Sequence, residues 1–265
     1  MPEGHTIHRL ARDHRPLLVG KTVRVTSPQG RFAAGAALLD GSAVTRIEPY
    51  GKHLWYRFDN DQLLHIHLGL YGKFATGKLP APEARGALRV RITTDETWLD
   101  LRGPTHCDLV TPADRRAVLA RLGPDPLRAS ADPDLAWERV TRTKTAIGQL
   151  LMDQSVLAGV GNVYRAEVLY RSGLSPFRPG RDVERATWDA MWLDLVVLMR
   201  AGVRANRIVT TERADRDRRT GVVRREDSHC VYRRDGLPCR RCGTNVRRQV
   251  LAARNLFWCP VCQEA

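Results

Sequence analysis

Cys239-Arg240-Arg241-Cys242-Gly243-Thr244-Asn245-Val246-Arg247-Arg248-Gln249-Val250-Leu251-Ala252-Ala253-Arg254-Asn255-Leu256-Phe257-Trp258-Cys259-Pro260-Val261-Cys262 contains two Cys-x2-Cys pairs separated by sixteen residues. Each close pair can present two sulfurs to one ion, and two pairs make a tetrahedral thiolate cage. Zinc prefers that geometry and those ligands; iron, or thiols without metal, are the alternatives that spacing leaves open. The intervening Asn245–Trp258 has the length of a β-hairpin. Four protein ligands leave no open coordination position, so one zinc here is structural and supplies folding energy to a module too small to fold alone. Between His229 and Ala265 stand seven arginines, against Asp235 and Glu264 alone. A ribbon this basic suits a phosphate surface better than a core. Cys107 and Cys230 stand apart and read as ordinary thiols.

The charge of the ribbon belongs to a wider imbalance. The chain has 43 Lys and Arg against 29 Asp and Glu, a formal net charge of +14. Such an excess creates a long-range field that attracts polyanions; nucleic acid is the expected partner, with a membrane surface or a ribosome as rivals. No apolar run is long enough to cross a bilayer, and Met1–Thr6 opens without an apolar signal core. A cytoplasmic protein with reduced cysteines is therefore expected. At 265 residues the chain can bury a real core, and its length favours two domains.

Upstream of the ribbon the pattern changes twice. Ile7, Leu10 and Ala11 have helical spacing, and Pro16 predicts a helix end near Arg15. Residues 22–27, 43–48, 53–58, 62–68, 88–93 and 97–101 then read as strands; in Leu88-Arg89-Val90-Arg91-Ile92 the apolar side chains share one face. Six short strands with turn-rich spacers suggest a β-sandwich or barrel. Helical patterns follow at 113–122, 131–142, 144–153, 163–171 and 184–204. The charged stretch 205–228 has little apolar content and reads as a mobile loop. The expected division is thus a first domain over 1–112, a helical domain over 113–228 and the zinc ribbon over 229–265, an α+β chain.

Four further motifs bear on chemistry. Removal of Met1 would expose Pro2 as a secondary amine, and an N-terminal amine has a pKa of about 7.7–8.0, so a neutral fraction able to attack a sugar C1′ exists at pH 7. Glu3 beside it can move protons; many proteins nonetheless begin Met-Pro. Gly159-Val160-Gly161-Asn162 opens into a helix whose free N–H groups suit a phosphate, and Asn162 can cap that helix or bind phosphate itself; tight packing between helices is the other reading. Lys52 in Gly51-Lys52-His53-Leu54 is one of only five lysines, and is either a selected ammonium or an exposed loop residue. His65 and His67 share a strand face without an evident third ligand, so a packed or exposed face is favoured over a metal site. Leu70-Tyr71 between glycines is either an apolar wedge or the end of a core strand.

Together and in this order, these segments resemble the formamidopyrimidine-DNA glycosylase and endonuclease VIII family. The resemblance runs through Pro2-Glu3-Gly4, Gly51-Lys52-His53-Leu54, His67-Leu68-Gly69-Leu70-Tyr71-Gly72, Leu122-Gly123-Pro124-Asp125-Pro126-Leu127 and Leu151-Met152-Asp153-Gln154. It continues through Gly159-Val160-Gly161-Asn162-Val163-Tyr164, Val231-Tyr232-Arg233-Arg234-Asp235-Gly236 and Arg254 through Gln263. The opening and the Leu70-Tyr71 pair are most similar to the actinobacterial endonuclease VIII branch. The resemblance implies an N-terminal β-sandwich with flanking helices, a helix–two-turn–helix domain and a zinc ribbon, acting as a monomer on damaged double-stranded DNA held between the domains. Pro2 would attack C1′ of a flipped nucleotide with Glu3 assisting, and β,δ-elimination would nick the strand. Lys52, Asn162 and Arg254 would hold phosphates, Arg254 from the hairpin tip, while Leu70 and Tyr71 fill the void in the duplex. Oxidised pyrimidines are the expected lesions. The alternatives are oxidised purines with the same chemistry, or a non-catalytic damage-binding protein. Two departures stand out. Thr6 occupies a position where relatives commonly carry a second acid, a role that His5 could fill, and Gly69 stands where relatives have Gln.

Overall fold

The computed structural model describes residues 2–264 and divides into two compact units, Met1–Ala120 and Arg121–Ala265. The first is built from α1 (Gly4–Leu18), β1 (Arg24–Thr26), α2 (Ala33–Leu39), β2 (Val44–Tyr50), β3 (His53–Phe58), β4 (Leu63–His67), β5 (Lys73–Lys78), β6 (Leu88–Thr93), β7 (Thr97–Arg102), β8 (His106–Val110) and α3 (Pro112–Ala120). Two antiparallel four-stranded sheets form, in the orders β1-β6-β7-β5 and β2-β3-β4-β8. Alternation along the strands decides what each face does. In β6, Leu88, Val90 and Ile92 are buried between half-exposed neighbours. Both sheets and α1 contribute to one core, with Val90, Ile92, Leu99 and Leu101 from the first sheet, Leu54, Tyr56, Leu64 and Ile66 from the second, and Ile7, Ala11 and Leu18 from the helix.

Three features of this unit differ from the sequence expectation. First, α1 continues through Pro16 to Leu18. The proline falls in the last turn, where only two further helical residues follow it. The Val19 N–H still closes on Arg15 O at 2.9 Å, and Leu18 is buried in the core, which offsets the lost hydrogen bond. Second, β5 and β8 were absent from the expected strands. Each is an edge strand with one partner, β7 or β4; β5 is nearly all exposed and has no apolar alternation to read, while β8 alternates over only five residues, with Cys107 buried between exposed His106 and Asp108. Third, α3 belongs to the first unit. Arg115 donates to Glu48 at 3.3 Å and its guanidinium lies 5.3 Å from the Trp55 ring centre.

The second unit contains α4 (Pro133–Thr141), α5 (Ile147–Leu150), α6 (Asn162–Arg171), α7 (Arg185–Ala205) and a hairpin of β9 (Arg247–Leu251) with β10 (Arg254–Trp258). Asp132 caps α4 by accepting the Asp134 N–H, with Pro133 at the first helical position. The helix expected over 144–153 shrinks to α5 because its leading residues pair elsewhere. Ile147 N donates to Arg178 O at 2.8 Å and Gly148 N to Pro176 O at 2.9 Å. α7 packs its stripe of Trp188, Met191, Trp192, Leu195 and Met199 into a core with Ile147, Leu151, Tyr164 and Val168. The stretch expected to be a mobile loop is pinned at its base: Thr210 N donates to Ser228 O at 2.9 Å, Thr211 Oγ1 to Asp227 O at 2.5 Å, and Arg240 pairs with Asp227 at 3.2 Å. Among the described residues no helix is long and apolar enough to cross a membrane.

Burial in the first core has a pH consequence. His14 is 1 % exposed, its Nδ1 2.6 Å from the Tyr56 hydroxyl, and burial pushes it down from 6.5 to about 4. The unfolded chain therefore takes up this proton first as pH falls, so stability is fully present above pH 6.5 and is lost down to about pH 4. His5 and His65, also lowered to about 4 by burial, add in the same direction. Urea unfolding midpoints should fall between pH 7 and about pH 5; a midpoint flat across that interval would contradict neutral buried imidazoles.

Candidate functional site

The four ribbon cysteines converge. Their Sγ atoms all lie within 4.8 Å of one another, with Cys239–Cys262 at 3.8 Å and Cys242–Cys259 at 3.4 Å. A tetrahedron with Zn–S near 2.3 Å has edges of about 3.8 Å, so the cage fits one zinc. Backbone N–H groups of Arg241 and Cys262 point at Cys239 and Cys259 sulfur, each at 3.4 Å, which favours thiolates. Hydrogen bonds from Thr244 pull the Cys242 thiol down to about 6. The remaining two cysteines do not join in. Cys107 is buried in the first core, where burial pushes its thiol up to about 12; burial likewise raises Cys230. Both are the inert thiols expected.

In the first unit, topology collects the candidate residues at one end of the β2-β3-β4-β8 sheet. Arg15 Nε donates to Ile47 O at 3.0 Å, and Val19, just past the helix, pairs with Val44. Thus α1 runs antiparallel to β2, on which it packs. Its first turn, preceded by Pro2 and Glu3, lies toward the Tyr50 end of β2, where the turn to β3 carries Gly51 and Lys52. Across β3, His53 pairs with His67, so Leu68–Gly72 leaves β4 at this same end. Glu3 is fully buried at the N-cap position of α1 without a side-chain capping bond. Pro2 and Lys52 are half-buried. Leu70 is 43 % and Tyr71 85 % exposed, which fits a projecting wedge rather than the end of a core strand. His5 is buried and neutral at pH 7, able to accept a proton but not to supply one as an acid.

Gly69 is explained locally. Its φ of +65° and a Cβ that would fall 1.8 Å from Thr105 Oγ1 both favour glycine here. His65 does not face solvent. It stacks on Trp55 at 5.1 Å with its Nε2 2.9 Å from His53 Nδ1. Burial first, and the neighbouring Lys52 ammonium second, hold His67 below its ordinary value.

In the second unit Asn162 and the hairpin meet. Asn162 is the first residue of α6 and does not cap it, contrary to one reading of the sequence; Gly161 is at the N-cap. The Asn162 side chain instead donates to Asn255 O at 2.9 Å and accepts from Arg165. Arg165, fully buried, also reaches Gly148 O, Leu251 O and Asn255 O at 3.3–3.4 Å. Arg254 is exposed and directly follows the hairpin turn, paired with Leu251. That turn, Ala252-Ala253, has both residues at positive φ, 51° and 57°. Further along α6, Glu167 accepts the N–H groups of Cys230, Val231 and Tyr232 at 2.7, 2.9 and 2.7 Å, and the Thr210 hydroxyl. Sequence reasoning missed Arg165 and Glu167. Their signal was two opposite charges in the middle of a largely apolar helix, one that is buried at every position from Asn162 to Tyr170.

The N-terminal domain model of formamidopyrimidine-DNA glycosylase matches residues 1–107, the helix–two-turn–helix domain model of the same enzyme matches 122–214, and a zinc finger found in that enzyme and in isoleucyl-tRNA synthetase matches 236–265. The chain belongs to the formamidopyrimidine-DNA glycosylase family. Within this family it is 46% identical to Endonuclease 8 1 of Mycobacterium tuberculosis, with 99% of this chain and 100% of that protein covered. It is 32% identical, at the same coverage, to Endonuclease 8 of Escherichia coli and to the formamidopyrimidine-DNA glycosylase of Geobacillus kaustophilus. Its fold is that of the Lactococcus lactis Fpg solved with abasic-site DNA, with a TM-score of 0.82, 21% identity, and 99% of this chain and 100% of that chain covered.

Two consequences are open to measurement. The family's zinc finger and the cysteine cage require one zinc per chain; metal analysis should find it, and chelation should unfold the ribbon. Zinc well below one per chain in freshly prepared protein would contradict the cage. Replacing Ala252-Ala253 by Asn-Gly should raise stability by about 1 kcal/mol, since alanine is strained in both left-handed positions; a lower thermal midpoint would show that the turn is not of this type.

Proposed function

We propose that the protein is a bifunctional DNA glycosylase and AP lyase of base excision repair that excises oxidised pyrimidines. The reading is supported by the directions of α1, β2, β3 and β4, which lead Pro2, Glu3, Lys52 and the Leu70-Tyr71 pair toward the same end of one sheet. With Met1 removed, the neutral Pro2 nitrogen attacks C1′ of a flipped nucleotide. The C1′–N bond breaks, the base leaves with the proton lost by the Pro2 nitrogen, and the sugar opens as Glu3, acting from its protonated form, gives its proton to the ring oxygen. The product is an iminium between Pro2 and C1′. Loss of a C2′ proton then expels the 3′ phosphate, and a second elimination expels the 5′ phosphate, leaving a one-nucleotide gap. Lys52 from the first unit, and Asn162 and Arg254 from the second, hold the phosphates around the flipped nucleotide. Asn162 and Arg254 are suited to act together, because Asn162 and Arg165 both bond the backbone of the hairpin. Leu70 and Tyr71 occupy the vacated position in the duplex.

The pyrimidine assignment is supported by the 46% identity to a protein named Endonuclease 8 1. The rival, oxidised-purine excision by the same chemistry, is favoured by the Geobacillus relative, which is as similar as the Escherichia coli endonuclease 8. A monomer acting in the cytoplasm on nucleoid DNA completes the proposal.

Borohydride should trap the protein covalently on an abasic-site duplex, and Pro2→Gly should lose most trapping with DNA binding retained. Equal loss of binding would make residue 2 structural. Arg254→Ala should weaken binding to all sequences and reduce the salt slope by about one; an unchanged slope would refute a phosphate contact. Thymine glycol and 8-oxoguanine duplexes compared side by side decide the lesion, and a clear preference for 8-oxoguanine would overturn the pyrimidine assignment.

A further inference from the structure

The β2-β3-β4-β8 sheet turns Leu54, Tyr56, Leu64, Ile66 and Cys107 into the core. The alternate residues, on the opposite face, are His53 and Trp55 of β3, His65 and His67 of β4, and His106 and Asp108 of β8, neighbours in register. Four of the chain's eight histidines are thus gathered on one patch of sheet. Three of them are in mutual contact. His53 Nδ1 and His65 Nε2 are 2.9 Å apart, and the His53 and His67 ring centres 5.0 Å. His67 Nδ1 is buried with no hydrogen-bond partner, a costly state for a polar atom.

We propose that this face carries a second metal site, one that takes a late first-row divalent ion such as Ni2+ or Zn2+ on the imidazoles of His53, His65 and His67. It is separate from the four-cysteine cage. In a tetrahedral site with metal–nitrogen bonds of about 2.0–2.1 Å, ligand nitrogens stand about 3.3 Å apart. The His53–His65 pair therefore has to open by about 0.4 Å, and both rings have to tilt, so that the two nitrogens converge on one ion beside the line joining them. His67 supplies the third ligand by turning its ring toward His53, which gives its orphaned nitrogen a partner; water fills the fourth position. Among the described residues only the cysteine cage has three or more ligand atoms already within 4.8 Å of one another, so this site is two-thirds assembled and closes on the ion. Imidazole ligands select nickel, copper, cobalt and zinc over magnesium and calcium. The cationic Lys52 near His67 opposes an incoming ion, as does Arg115, which pairs with Glu48 and lies over Trp55, while Asp108, paired in register with His65, favours it. Trp55 stacks on His65 at 5.1 Å and fixes its ring, as a supporting shell does in metal centres.

The test is equilibrium dialysis of the untagged, zinc-loaded protein against Ni2+, with nickel and zinc both measured. One nickel per chain should be retained while the ribbon zinc stays. His65→Gln and His53→Gln should each weaken nickel retention by at least about tenfold with zinc content unchanged. His67→Gln should weaken it less, since that ligand joins last. Should one variant fold poorly, shown by a lowered thermal midpoint, the other decides. No nickel beyond background, nickel gained only as zinc is lost, or equal retention by both the His53 and His65 variants would overturn the site.

Discussion

The way α1 is anchored governs where the chain begins. Its last turn is held on β2 by the Arg15–Ile47 hydrogen bond and the Val19–Val44 pairing, and its apolar stripe of Ile7, Ala11 and Leu18 is buried in the core. An antiparallel helix held at its C-terminal end and along one face can send its first residues in only one direction. That direction is toward the end of the sheet from which Lys52 and the Leu70-Tyr71 segment project. The nucleophile proposed at Pro2 stands near a chain terminus, where fraying ordinarily costs a residue its position. Here the residue after it, Glu3, is fully buried, so the terminus is held from its second peptide onward.

The second unit solves a different problem. A small hairpin has no core of its own, and the ribbon is held on α6 by two buried side chains of opposite charge. Arg165 takes backbone carbonyls of the hairpin, and Glu167 takes three consecutive amides of the strap leading to it. Each ion is solvated by backbone dipoles, the arrangement that makes a buried charge tolerable. With the zinc cage at the far end of the hairpin, the two-residue turn that precedes Arg254 is supported from both sides. The strain in Ala252-Ala253 persists because both flanking strands are fixed.

Much of this was legible in the chain itself. The paired cysteines carried the ribbon because metal geometry imposes spacing, and Leu88–Ile92 carried a strand because a half-buried sheet imposes alternation. What could not be read depends on partners distant in sequence. The exposed edge strand β5 has no apolar period, Pro16 is tolerated only because Leu18 is needed in the core, and α5 is short because Ile147 and Gly148 bond to residues 176–178. The clustering of His53 with His65 likewise needs the β3–β4 register, which alternation alone does not supply. Arg165 and Glu167 were visible as charges in a buried helix, but their ligands lie in segments that only the fold brings near.

The central claim is that residue 2, once the initiator is gone, forms the bond to the sugar. Intact-mass spectrometry of active, native protein tests it most directly, followed by peptide mapping of the borohydride-reduced DNA adduct. The account predicts a mass lacking Met1 and a sugar remnant on the peptide that begins at Pro2. Normal strand scission by protein that retains Met1, or a remnant carried by a lysine, would contradict it.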